Sequence, residues 1–122
     1  WFALPRAGLG ALDIHGPCAQ VTVVAWLLRE TSSPWQAIGG VWDETRCKRP
    51  YFLFLNASTL SNDTTLQRVP CSDRLHGHIS CVGGPTPGHE YCVTYATGST
   101  RISLNHWVCV AMTYDGAHIR TF

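Results

Sequence analysis

Apolar positions along this chain recur with the period of strands rather than helices. The run Val21-Thr22-Val23-Val24-Ala25-Trp26-Leu27-Leu28 is β-branched and aromatic, about one strand long. Residues 29–34 are polar and end in proline, which closes it with a loop. Residues 35–42 form a second apolar stretch, and Gly39-Gly40 inside it predicts a bulge or a close backbone approach. Residues 43–49 are polar again and read as a loop. Tyr51-Phe52-Leu53-Phe54-Leu55 is apolar on both alternating faces, which predicts a strand covered on both sides. Periodicity lapses over residues 56–76, the longest polar stretch, which reads as a long connection.

Strand signals resume at residues 77–82, and the Gly- and Pro-rich residues 83–88 interrupt them. Residues 89–97 predict another strand, and Gly98-Ser99-Thr100 a turn. Residues 106–114 give the cleanest strand pattern. Asp115-Gly116 then predicts a two-residue type I′ hairpin into residues 117–122, because that turn wants positive φ at both positions. No segment shows helical periodicity. These elements predict one all-β domain over residues 1–122, an antiparallel β-sandwich or jelly roll with Trp26, Phe54, Trp107, Val110 and Met112 in its core. The chain begins at Trp1 without a signal-peptide pattern and stops inside the last strand pattern. The expectation is a piece of a longer polypeptide, incomplete at its C-terminal end. Its open sheet edge is expected to be prone to aggregation.

Trp107-Val108-Cys109-Val110-Ala111-Met112-Thr113-Tyr114-Asp115-Gly116 resembles the laminin G-like signature, in which Trp and a short apolar strand lead into Thr-Tyr-Asp-Gly. Ala11-Leu12-Asp13-Ile14 followed by residues 21–27 is similar to that family's leading strand and its apolar Ala-Trp second strand, and Leu53-Phe54-Leu55 to the strand after it. The resemblance spans about residues 11–122 and is specific at its two ends. It implies a concanavalin A-like sandwich and a binding or structural role. Cys109 departs from the pattern, standing where the family often has His.

Composition narrows the function classes. A 45% hydrophobic and 14% charged chain is neither a disordered tail nor a strongly charged surface binder. The net charge of +1 and the lack of a basic run longer than Arg46-Cys47-Lys48-Arg49 argue against a nucleic-acid partner. No apolar run reaches the roughly 20 residues of a membrane helix. Six cysteines suit an oxidising compartment, an extracellular or cell-surface setting, with 15 pairings open. Cys92 and Cys109 are equally at home as free thiols in apolar strands. Asn56-Ala57-Ser58 and Asn62-Asp63-Thr64 are glycosylation sequons, relevant in a eukaryotic secretory host.

Candidate chemistry is sparse. Glycoside hydrolysis needs two carboxyls at a fixed separation. The β-glucanases related to the resembled family carry Glu, Asp and Glu at alternate strand positions, and Glu30, Glu44 and Glu90 have no acidic residue two positions away. No nucleophile elbow, phosphate loop or dinucleotide fingerprint occurs. His76 and His78 share a strand face and, with Cys81, have a spacing that a metal could use, or they are surface histidines beside a turn. Asp43, Asn62, Asp63 and Asp73 supply hard oxygens for calcium in no ordered loop pattern, so no cofactor is expected beyond that calcium option. Sugars stack on aromatic rings, which makes Trp35, Trp42 and Tyr95 candidate ligand residues. Asp43, Glu44 and Arg46 beside Trp42 add directional hydrogen bonds. Trp35 and Trp42 are alternatively core residues at the two ends of one strand. The expected role is a non-catalytic module of a secreted or surface protein, whose partners are a glycan or an extracellular protein and the other domains of its parent chain. A structural spacer or protein-interaction domain is the alternative, with a glycoside hydrolase fragment behind both.

Overall fold

A computed structural model describes residues 3–43, 48–56, 73–83 and 94–122. Among the described residues are seven strands, two single 3-10 turns and no α-helix: β1 (Val21–Leu28), β2 (Gln36–Asp43), β3 (Lys48–Asn56), β4 (Arg74–Ile79), β5 (Thr94–Arg101), β6 (Trp107–Tyr114) and β7 (Ile119–Thr121). They form two antiparallel sheets, ordered β1-β6-β7 and β2-β3-β4-β5, which pack as a β-sandwich. The all-β architecture is the one that the strand periodicity predicts.

Alternation decides which side chains meet between the sheets. From the four-stranded sheet come Tyr51, Leu53 and Leu55 of β3 and Leu75 and Ile79 of β4, all buried. From the three-stranded sheet come Val21, Val110 and Met112, flanked by half-buried Val23, Ala25 and Leu27. Gly77 of β4 faces Met112 so closely that a Cβ there would lie 2.7 Å from the Met112 sulfur. Glycine at this position lets the sheets approach. Val110 and Met112 occupy the core as expected.

One polar side chain clasps the two sheets. The buried guanidinium of Arg29, just past β1, donates to the Gln36 Oε1 at 2.9 Å, the Ile102 carbonyl at 2.8 Å and the Asp73 Oδ1 at 2.6 Å. It therefore ties the end of β1 to the starts of β2 and β4 and to the segment after β5. Fully engaged, a buried guanidinium avoids the penalty of an unpaired charge.

Several expectations are corrected. Trp26 and Trp107 are not core residues: they stand largely exposed on the outer face of the three-stranded sheet. In β1 and β6 nearly every position is apolar, so composition alone does not say which alternate set turns inward. Phe54 is half-buried on the outer face of the other sheet. Residues 11–14 form no leading strand, because 3-10 turns at Arg6–Gly8 and Gly10–Leu12 coil the chain there. Strand β4 runs earlier than residues 77–82, and residues 80–83 turn instead. Gly98-Ser99-Thr100 is no turn but part of β5, where Gly98 admits Leu75 and Thr121 to close contact. The β6–β7 hairpin is present, but Tyr114 pairs with Ile119, leaving four residues in the turn. Only Gly116 of the Asp-Gly pair has positive φ, so the turn is not type I′. Asp115 organises it instead: its Oδ1 accepts from the Ala117 and His118 backbone amides at 2.9 and 2.8 Å. Arg120 donates to its Oδ2 at 2.6 Å, and these bonds, Arg120 first, hold the carboxyl well below the usual carboxylate range. The bulge expected at Gly39-Gly40 is present as a register shift between Ala37 and Gly39. Cys18, Cys81 and Cys109 are free thiols. Cys47, Cys71 and Cys92 lie outside the described residues, so no disulfide is present among the described ones.

Candidate functional site

The outer face of the four-stranded sheet gathers the rings of the chain. Register sets Phe52 opposite His78 and Phe54 opposite His76 across β3 and β4. It also sets His76 opposite Thr97 and His78 opposite Tyr95 across β4 and β5. These are the positions that alternate with the core residues Leu53, Leu75 and Gly77, so all of them turn away from the core.

The rings assemble edge to face. Trp42, near the end of β2, stands perpendicular to Phe54 at 5.3 Å and close to perpendicular to His78 at 5.4 Å between centroids. Trp35, just before β2, meets Phe54 at 5.6 Å and His76 at 5.8 Å, again near-perpendicular. Tyr95 stacks almost parallel on His76 at 5.3 Å. Edge-to-face and offset contacts of this kind are the favoured arrangements of aromatic quadrupoles. The result is a floor of His76, His78 and Phe54 with Trp35, Trp42 and Tyr95 standing around it. The Arg49 guanidinium lies 5.5 Å from the Trp42 ring, a cation–π contact that fixes the indole from one side.

The two histidines are buried beneath this rim although the sheet face points away from the core, with His76 0% and His78 8% exposed. Burial lowers the pKa of His76 to about 4. Burial, and then repulsion from His76, lowers that of His78 to about 3. Both rings are therefore neutral at pH 7, each with one donor and one acceptor nitrogen. His76 Nε2 bonds the Thr97 hydroxyl at 2.9 Å. His76 Nδ1 and both nitrogens of His78 have no hydrogen-bond partner among the described residues. A buried polar atom left unbonded costs about 1–3 kcal/mol, so such atoms mark a place for an ordered water or a ligand hydroxyl.

Trp35 carries a second mark. Its φ of 56° lies in the left-handed region, which costs a bulky L-residue about 1–2 kcal/mol. Strain of this kind concentrates where a side chain must be held in a particular place. Here it holds an indole that is still 43% exposed against Phe54 and His76.

Of the residues singled out in the sequence, Trp35, Trp42 and Tyr95 come together on this face. Asp43 ends β2 opposite Lys48, next to Trp42. Glu44 and Arg46 lie outside the described residues. His76 and His78 are buried rather than surface histidines. Cys81 lies past the end of β4 with its sulfur 3.3 Å from the Tyr114 hydroxyl. Among the described residues no three of His, Cys, Asp and Glu gather as metal ligands. The calcium donors disperse: Asp43 and Asp73 lie at opposite ends of the sheet, and Asp73 is held by Arg29. Asn62 and Asp63 lie outside the described residues. Phe52 and Thr97 join the site without having been singled out, and Phe54, expected in the core, joins it as well. Their signal is the cross-strand register, which pairs residues about 20 positions apart.

Comparison with family models, curated proteins and solved structures finds no match to this chain. The aromatic face therefore has to be interpreted from its own chemistry.

Proposed function

We propose that the chain is a non-catalytic binding module that recognises glycan through the outer face of its four-stranded sheet. The observation that carries this is the convergence of Trp35, Trp42 and Tyr95 over two neutral, buried histidines with unbonded nitrogens. Aromatic walls offer flat apolar surface to the C–H face of a sugar ring, and the neutral imidazole nitrogens beneath them, which have no exposed surface of their own, offer a donor and an acceptor to a hydroxyl once the rings above part. The strained backbone at Trp35 supports the same role.

Support for the non-catalytic part comes from how the ionisable groups are used. Asp73 is tied to Arg29, Asp115 to its own turn and Arg120, and Asp13 to His15. His76 and His78 titrate far below the range useful to a general base at neutral pH. The resemblance to laminin G-like domains points the same way, and with it we propose a secreted or cell-surface parent protein. No helix among the described residues is long and apolar enough to cross a membrane.

An array of neutral and acidic oligosaccharides, probed with the 122-residue chain and with its Trp35→Gly and Tyr95→Ala variants, tests the proposal. Binding that both substitutions abolish is expected. Binding indifferent to both, or hydrolysis of any oligosaccharide, contradicts it. A protein-interaction role is favoured by a different observation, the apolar outer face of the other sheet.

A further inference from the structure

The outer face of the three-stranded sheet is apolar, uncharged and exposed. Leu28 lies beside Trp107, and Trp26 beside Cys109, across β1 and β6. In the next row Val24 lies beside Ala111, which exchanges two backbone hydrogen bonds with Phe122. Trp26 is 70%, Trp107 68%, Phe122 67% and Val24 61% exposed. Charge enters only at the borders: Arg120, held by Asp115 at 2.6 Å, stands one row further on, and Arg101 lines a pocket with Trp107 at the other end.

We propose that this face is the interface between two copies of the chain, packed sheet on sheet about a twofold axis. Area is the first argument. At about 150–250 Å² for each large side chain, the exposed parts of these residues come to about 600 Å² of apolar surface. That is at or beyond the largest patch of a typical monomer, and it approaches the roughly 800 Å² that each partner contributes to a stable interface. Charge is the second. An isologous contact lays the same patch on itself, which an uncharged surface tolerates without like-charge repulsion. Between its borders the face offers an acidic or basic partner no charge to pair with. The third argument is sequence pattern: β1 and β6 are apolar on both alternating faces, the mark of strands covered on both sides.

Sedimentation velocity over a range of concentrations tests this, with Trp26→Glu and Trp107→Glu beside the parent chain. A monomer–dimer equilibrium is expected, with a dissociation constant raised about a hundredfold or more by either substitution, as for a central interface residue. Trp35→Gly, on the opposite sheet, should leave the dimer intact, which keeps this proposal separable from glycan binding. Maleimide labelling read by peptide mass needs no substitution. Cys109, in the middle of the face, should label more slowly as protein concentration rises, while exposed Cys18 labels at a constant rate. A chain monomeric at every concentration overturns the proposal. So does a dimer unmoved by both glutamates, concentration-independent labelling of Cys109, or partition of a monomer onto neutral lipid vesicles.

Discussion

Each sheet of this sandwich turns two tryptophans away from the core, and the surroundings of the two pairs differ. Trp35 and Trp42 stand among Phe54, His76 and His78, which they pack edge to face and bury. Trp26 and Trp107 stand beside Cys109 and Leu28, with Ala111 in the next row, and remain exposed. Large neighbours across the register turn one face into a structured rim with polar atoms at its floor. Small neighbours leave the other flat and greasy. The first is the face proposed for a small polar ligand, and the second the face proposed for another broad surface.

The comparison can be broken outright at the clasp that both sheets share. Arg29→Ala removes a buried guanidinium and leaves Asp73 without its partner, so it should cost about 3–4 kcal/mol. Denaturant melts give the value, and a loss below about 1 kcal/mol would show that Arg29 is not holding the sheets together.

Truncations on the two faces sharpen it. Phe54→Ala should cost about 2–3 kcal/mol, a little under the range for a fully buried aromatic, because it unpacks both Trp35 and Trp42. Trp26→Ala, measured in dilute solution, should stay within about 0.5 kcal/mol, as surface substitutions do. Equal costs would erase the distinction between the faces.

A smaller effect separates them by pH. His76 and His78 have folded pKa values of about 4 and about 3, below the ordinary 6.5. Between those limits the unfolded chain binds more protons than the folded one, so stability falls as pH falls below 6.5. From pH 7 to 5.5 each histidine should contribute about 1 kcal/mol of loss. His78→Gln should make the pH dependence shallower, whereas substitutions on the Trp26 face should not. A slope unchanged in His78→Gln would mean that the ring is not buried in its neutral form.

Much of the fold is legible in the residues themselves, and the reasons for the exceptions are specific. Residues 107–114 and the Asp-Gly pair predict a hairpin because strand alternation and turn chemistry are local. The turn type is missed because it depends on Asp115 bonding amides two and three positions on. Trp26 is misplaced because a strand apolar on both faces carries no sign of which face is inward. That choice is made by Gly77 and Met112, which fit each other on the opposite side. Trp35, Trp42 and Tyr95 can be singled out as rings near loops. The burial of His76 and His78 beneath them cannot, since it depends on the register of β3, β4 and β5. Arg29 reads as one more polar loop residue, because its ligands Asp73 and Ile102 lie 44 and 73 positions away.

The most direct test of the ligand face is Trp35→Gly, followed by glycan binding and thermal melting together. Glycine relieves the left-handed backbone at this position while removing the indole. The expected result is a lowered melting temperature in a variant that still folds cooperatively, because backbone relief offsets only part of the lost ring packing, with oligosaccharide affinity reduced about tenfold or more, the loss of one stacking ring. Unchanged affinity in the folded variant would contradict the assignment of this face as the binding site.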